Sequence, residues 1–457
     1  MCGILGAYNV GGLKDLIEVG LNPLQHRGVE GAGFFASSLD GHTIFHLRKY
    51  PLAEDLYTSR EFIEWHDGDA RLAAAHVRYG TCGSLAHEQN IQPIMHMTRW
   101  GRIAVAHNGD TPNAQRARVD MLNQGKVFES DSDSEMFLHD IADTEAETVF
   151  DAIATVLARK RATFSLLLAG EGWLVAARDP WGNRPLSIAK LDNGWIVASE
   201  TVVHDVLRAE YLRDVDPGEM LIFTNGSMTS RRFKEPCQLH QCVFERTYMS
   251  RPDSVVFGGT VADFRRAIGQ YMGRRVPRRY ANEVVVPVPD SGIQYASGFV
   301  LEHGGPMEIA LVRSHYSGRN YIQPGQNRRE KSIRKKLNPI RSLIAKKTVI
   351  LIDDSIVRGT TSRKVNRMLR GAGAERIIFV SCYPPVTGQC HYGVLMEDSL
   401  VAKDRTIEEI RSFIEADELY YPDPDDYKKL TGDPKRHCFA CFDGIYPALL
   451  HKIQKEP

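Results

Sequence analysis

The chain has 457 residues, 43% of them apolar and 25% charged, the composition of a globular protein with material for two or three domains. Lys+Arg and Asp+Glu balance at 57 each, which lends no support to nucleic-acid binding. No apolar run approaches the roughly 20 residues a membrane helix needs, and the opening MCGILGAYNVGGLKDL has neither the basic nor the long apolar region of a signal peptide. The expectation is a cytoplasmic protein with no membrane partner.

Residues 1 to about 232 hold short apolar runs separated by Gly, Asn and Asp, such as RIAVAHNGD and EMLIFTNGSM. These read as strands joined by tight turns, with Asn-Gly pairs at 108–109, 193–194 and 225–226 as hairpin or turn signals. Helices are expected near 14–21 and across 134–159. From about 233 to 457 the pattern changes. GTVADFRRAIGQYM places Val261, Phe264, Ile268, Tyr271 and Met272 on one helical face, with Thr260 and Asp263 as a capping pair. NEVVVPVPDSG, KKTVILIDDSIVRGTTSRKVNRMLRGAGA and ERIIFVSCYPP then alternate strand and helix, with Val365, Met368 and Leu369 on a buried stripe. That order implies a mostly parallel sheet covered by helices. The fold class is therefore α+β followed by α/β, divided at 1–232 and 233–457, the second part ending in a cysteine-containing extension.

VILIDDSIVRGTTS is the sharpest motif. An apolar strand ends in Asp353 and Asp354, followed by a loop with Gly359 and hydroxyls at Ser355, Thr360, Thr361 and Ser362, and then a helix. Ligands of parallel sheets sit at the carboxyl ends of the strands. Loop N–H groups and a helix start suit a phosphate, while the carboxylates suit a sugar diol or Mg²⁺. The string resembles the phosphoribosyltransferase signature for 5-phosphoribosyl 1-pyrophosphate (PRPP). The resemblance implies that Asp353 and Asp354 approach the ribose hydroxyls and metal, and that Ser355, Val357, Arg358, Gly359, Thr360 and Thr361 hold the 5-phosphate. Asp290-Ser291-Gly292, at a second strand end, would meet the pyrophosphate, with Ser291, Asp353 and Asp354 at the Mg²⁺. The basic stretch 326–341, QNRREKSIRKKLNPIR, would close as a lid over the pyrophosphate.

At the other end stands Cys2. A cysteine at a mature N-terminus carries a nucleophilic thiol beside an α-amine, whose pKa of about 7.7–8.0 lets it act as base without a histidine. QHRGVEGAGF (25–34), AAAHVRYGTCGS (73–84), VAHNGD (105–110) and ESDSDSEMF (129–137), together with CGILGAY, resemble the class II glutamine amidotransferase domain, an N-terminal-nucleophile (Ntn) hydrolase with an αββα sandwich. The resemblance implies Cys2 as nucleophile, Asn108 and the N–H of Gly109 as oxyanion hole, Arg78 on the glutamine α-carboxylate and Asp133 on its α-ammonium. Methionine removal is expected to expose the amine. Tyr79 is a candidate for coupling the two sites.

Both halves together resemble the amidophosphoribosyltransferase family, which makes 5-phosphoribosylamine from glutamine and PRPP at the first committed step of purine synthesis. Its second half is a type I phosphoribosyltransferase domain, and its members are dimers or tetramers. Cys438-x-x-Cys441 has a chelating spacing. With Cys242 and Cys390 it falls where some family members hold a [4Fe–4S] cluster, structural Zn²⁺ being the alternative. Cys82, Cys237 and Cys382 read as ordinary thiols. The chain departs from the common family pattern at Val29, Gly31, Gly80, Cys82 and Asp110. A divergent relative acting in another pathway, a regulator that binds PRPP without turnover, and a glutaminase with a regulatory second domain are the rival readings.

Overall fold

The structure is a computed structural model that describes residues 1–80, 87–314, 337–394 and 399–446. Strand Gly3–Tyr8 shows how the first half is layered. Alternate side chains of a strand point to opposite faces. Leu5 and Ala7 therefore face helix Leu13–Leu21, packing with Leu13, Ile17 and Leu21, while Ile4 and Tyr8 face a second sheet, packing with Leu167, Leu174 and Leu221. All six residues are buried. The first sheet has seven strands, the second six, and every pairing within them is antiparallel. Helices Glu135–Asp143 and Val149–Arg159 cover the outer face of the second sheet through Phe137, Ile141, Ile153 and Leu157. The result is an αββα sandwich, whose last strand, Ser227–Arg232, edges the second sheet.

Two sequence expectations need correction, and one helix was not foreseen. The helix read across 134–159 is two helices, because Thr148 caps the second by accepting from Asp151 N–H. Helix Ala114–Asn123, which buries no residue, gave no amphipathic signal. Asn108-Gly109 is no turn: it lies inside strand Gly101–Asp110, paired with Ser165 and Phe164. The pairs at 193–194 and 225–226 do lie at tight connections between paired strands.

The second half is built on a four-stranded parallel sheet ordered Glu283–Pro287, Thr348–Asp353, Arg376–Ser381, Glu418–Tyr420. One face packs Val285, Ile350 and Ile352 against helices Val261–Arg275 and Gly292–His303. The other packs Val349 and Leu351 against Val365 and Leu369 of helix Thr360–Gly371 and Ile410 and Ile414 of helix Ile407–Ile414. Thr260 stands at the first helix's N-cap as expected, but its side chain makes no cap hydrogen bond. No described helix is long and apolar enough to cross a membrane.

Candidate active site

The end of strand Ala70–Val77 delivers Arg78 and Tyr79 beside Cys2 at the start of strand Gly3–Tyr8, because the two strands pair antiparallel with Gly3 opposite Val77. Tyr79 N–H reaches Cys2 Sγ at 3.4 Å, and its carbonyl lies 3.6 Å from the same sulfur. Gly28 admits this approach, since a Cβ there would stand 2.4 Å from the Arg78 backbone. A pocket opens between Cys2, Arg78, Tyr79, Gly109, Asp133 and Ser134. Burial pushes the Cys2 thiol up, and the neighbouring amine and Arg78 pull against it. Burial pushes the Met1 amine down to about 4. Cys2 gains an amine of its own only when the peptide bond to Met1 is cut.

Asn108 is wholly buried, and neither its Nδ2 nor its Oδ1 has a hydrogen-bond partner. A buried amide left unpaired is costly, unless a ligand's oxygen completes it. Gly109 is fixed by crowding: a Cβ there would lie 1.9 Å from Thr163 O and 2.5 Å from His107 Nε2. The rear wall is a closed network. His107 N–H donates to Gln92 Oε1 at 2.6 Å, Gln92 Nε2 donates to Ser134 Oγ at 2.9 Å, and His107 Nδ1 is 3.1 Å from that hydroxyl. Asp133 Oδ2 accepts from Thr111 N–H at 2.9 Å, which orients that carboxylate. His107 is kept neutral chiefly by burial.

In the second half, Asp354 N–H donates to Asp353 Oδ1 at 3.0 Å, while Ser291 Oγ and Ser355 Oγ donate to the Asp354 carboxylate at 2.5 and 2.6 Å. Asp290-Ser291-Gly292 therefore meets the double aspartate at adjacent strand ends. Gly292 permits this, since its Cβ would stand 2.5 Å from Ile352 O. Burial and mutual repulsion push Asp353 well up, and burial pushes Asp354 up as well. Such a pair suits a divalent cation, so the residues fit Mg²⁺. Ile356 is buried and Val401 N–H donates to Val357 O at 2.9 Å, anchoring the loop from behind. Arg358, Thr360 and Thr361 stay exposed at the start of the helix, with Gly359 at φ 69° before it. Of the expected lid, 326–336 lies outside the described residues, as does Cys82.

The four cysteines converge. Cys242 and Cys438 are register partners in a short parallel pairing, and Cys438 and Cys441 each feel the charge of Cys242 and Cys390. All four are free thiols. Four thiols of this kind suit Zn²⁺ or an iron–sulfur cluster alike.

Arg27 was not assigned a role from sequence, yet it ties the halves together. Its guanidinium is buried and donates to Cys2 O at 2.9 Å, to Glu200 Oε1 at 2.6 Å and to both Glu245 oxygens at 2.9 Å. Arg184 reaches Glu245 at 3.4 Å and donates through Nε to Tyr392 O at 3.1 Å. Its signal lay inside QHRG, but its partners stand 173 and 218 residues away.

Residues 76–203 match a glutamine amidotransferase domain family, and residues 261–391 match a phosphoribosyl transferase domain family. Amidophosphoribosyltransferase 1 of Arabidopsis thaliana, a chloroplast protein, is 37% identical over 98% of this chain and 78% of its own length. Amidophosphoribosyltransferase of Bacillus subtilis is 36% identical over 99% of this chain and 95% of its own. The chain belongs to the amidophosphoribosyltransferase family. The solved B. subtilis glutamine PRPP amidotransferase, complexed with ADP and GMP, superposes with a TM-score of 0.89 over 98% of this chain and 97% of that one, at 36% identity. The αββα sandwich and parallel-sheet domain described above are thus this family's Ntn-type amidotransferase and phosphoribosyltransferase domains in one chain.

Proposed function

We propose that the chain converts glutamine and PRPP to 5-phosphoribosylamine, glutamate and pyrophosphate, opening purine biosynthesis. The observation that carries this is the presence in one chain of a pocket lined by Cys2, Arg78 and Asp133 and of a parallel-sheet strand end bearing Asp353 and Asp354 before a phosphate-type loop. In the glutaminase part, drawn to residue 232, Arg78 binds the glutamine α-carboxylate and Asp133 its α-ammonium, setting the amide carbonyl against Cys2. The Cys2 thiolate attacks that carbonyl, with the α-amine freed from Met1 taking the thiol proton. Asn108 Nδ2 and Gly109 N–H donate to the oxyanion, a charge present only in the tetrahedral state. Ammonia leaves and water cleaves the thioester to release glutamate.

Ammonia then attacks C1 of PRPP as the bond to pyrophosphate breaks. Asp353 and Asp354 face the ribose and its developing positive charge, and the loop Ser355–Thr361 holds the 5-phosphate. Mg²⁺, held by Ser291, Asp353 and Asp354, would neutralise pyrophosphate charge. Cys242, Cys390, Cys438 and Cys441 would hold a [4Fe–4S] cluster as a structural clamp, since the reaction is redox-neutral. Tyr79 is the candidate for coupling, since its backbone meets Cys2. The deciding experiment is a paired assay of Cys2→Ala. Glutamine-dependent pyrophosphate release should vanish while ammonium-dependent release persists; equal loss of both sinks the assignment.

A further inference from the structure

A third cluster lies behind the glutamine pocket and is used by neither half-reaction. His96 stands on strand Ile94–Thr98, and Glu135 and His139 stand one helical turn apart on helix Glu135–Asp143. The ligand atoms of all three lie within 4.8 Å of one another. His96 Nε2 is 3.0 Å and His139 Nε2 3.8 Å from the same oxygen, Glu135 Oε1. These values bracket the separation of about 3.3 Å between ligands of a tetrahedral ion whose bonds are about 2.0–2.1 Å long.

The details favour ligation over simple ion pairing. Glu135 is fully buried, and three bonds fix its carboxylate: Glu129 N–H at 2.7 Å on Oε1, Ser130 N–H at 2.7 Å on Oε2, and the Ser130 hydroxyl. Such outer contacts orient a ligand carboxylate. Both Nε2 atoms are buried and crowd the same carboxylate oxygen, so two imidazoles and a fixed carboxylate converge on one point.

We propose that His96, Glu135 and His139 form a metal site, separate from the cysteines and the double aspartate, that takes a divalent transition ion such as Zn²⁺. Two imidazoles and a carboxylate leave a fourth position for water. The ion staples the strand after Gln92 to the helix that follows Asp133 and Ser134, so it braces the rear wall of the glutamine pocket.

The test uses the full-length protein with its iron in place, dialysed against a chelator and titrated with Co²⁺ alone. One equivalent per chain should bind, with ligand-field bands of nitrogen and oxygen donors and no sulfur-to-cobalt charge transfer. His96→Gln and His139→Gln should weaken Co²⁺ binding by about 100-fold or more, with iron content and ammonium-dependent turnover unchanged. A thiolate charge-transfer band, no Co²⁺ bound at micromolar concentration, or variants that bind as the parent does would each overturn the site. Should either variant misfold, the parent spectrum alone decides.

Discussion

Arg27→Met is the perturbation on which the structure speaks most directly. Arg27 is 1% exposed and pairs with two carboxylates, Glu200 and Glu245, that have no side-chain exposure. Methionine fills much of the stem's volume but leaves both charges short of a cation. Glu200 keeps His26 at 2.8 Å, Arg251 N–H at 2.9 Å and Ser254 Oγ at 2.8 Å, and Glu245 keeps Arg184 at 3.4 Å. The loss should therefore fall within the usual range for breaking a buried pair, about 3–5 kcal/mol, and not double it. For a domain of this size that lowers Tm by on the order of 10 °C. The effect depends on pH with a definite sign. Burial alone would push Glu200 up, but His26 and Arg27 overrule it and hold the carboxyl well below its usual range. A depressed carboxyl adds stability above its unfolded pKa of about 4.3 and loses it as pH falls. The variant's deficit should thus be full at pH 7.5 and narrow only below about pH 4, so that it is smaller at about pH 3. Urea unfolding followed by tryptophan fluorescence at both pH values measures it, and Glu245→Gln added to Arg27→Met should recover part of the loss. A deficit below about 1 kcal/mol at neutral pH, or one that grows on acidification, refutes the reasoning.

Asp353→Asn should cut turnover about 100-fold or more with either glutamine or ammonium, while relieving the repulsion within the pair and raising Tm; retained ammonium-dependent turnover would remove Asp353 from the ribose site. Burial, with Asp133 beside it, pushes Asp110 up to about 7, so its contribution to stability is whole below about pH 4 and lost as pH rises toward 7. Asp110→Asn should accordingly gain stability over the parent between those limits, by roughly 1–3 kcal/mol at pH 8 for a half-exposed group; a pH-independent difference in urea unfolding would contradict this. Tyr79→Phe should leave ammonium-dependent turnover intact but reduce the stimulation of glutamine hydrolysis by PRPP, about fivefold or more. Unchanged stimulation would show that the phenol plays no part in coupling.

What could be read from the sequence was whatever the chain writes locally. The strand ending in Asp353 and Asp354 and the loop after it are contiguous, and alternating apolar runs announce the layers. The failures also have physical causes. Asn108-Gly109 has the composition of a hairpin turn, but its glycine is set by the closeness of Thr163 O and its asparagine is buried without a protein partner, and neither constraint is local. Helix Ala114–Asn123 buries nothing, so no stripe marked it. Arg27, Glu200 and Glu245 were invisible as a unit because a charge reads as solvated surface until a partner far along the chain is known. His96 and His139 gave no signal for the same reason: their shared oxygen, on Glu135, lies behind a motif whose other residues point into the pocket.

The buried junction also explains why a cysteine at position 2 is useful only in this company. The Cys2 carbonyl is held by Arg27, and Arg27 is held by Glu245 of the second half. The thiol's neighbour Tyr79 meets it through its backbone N–H and carbonyl. The two halves therefore share restraints at Cys2, through Arg27 and Glu245. Ammonia is mostly protonated, and inert, in water at neutral pH, so an enzyme that released glutamine's nitrogen without PRPP in place would waste it. A nucleophile restrained by residues of the acceptor domain would tie the first step to the readiness of the second, and the ionic bonds of Arg27 supply such a restraint at Cys2.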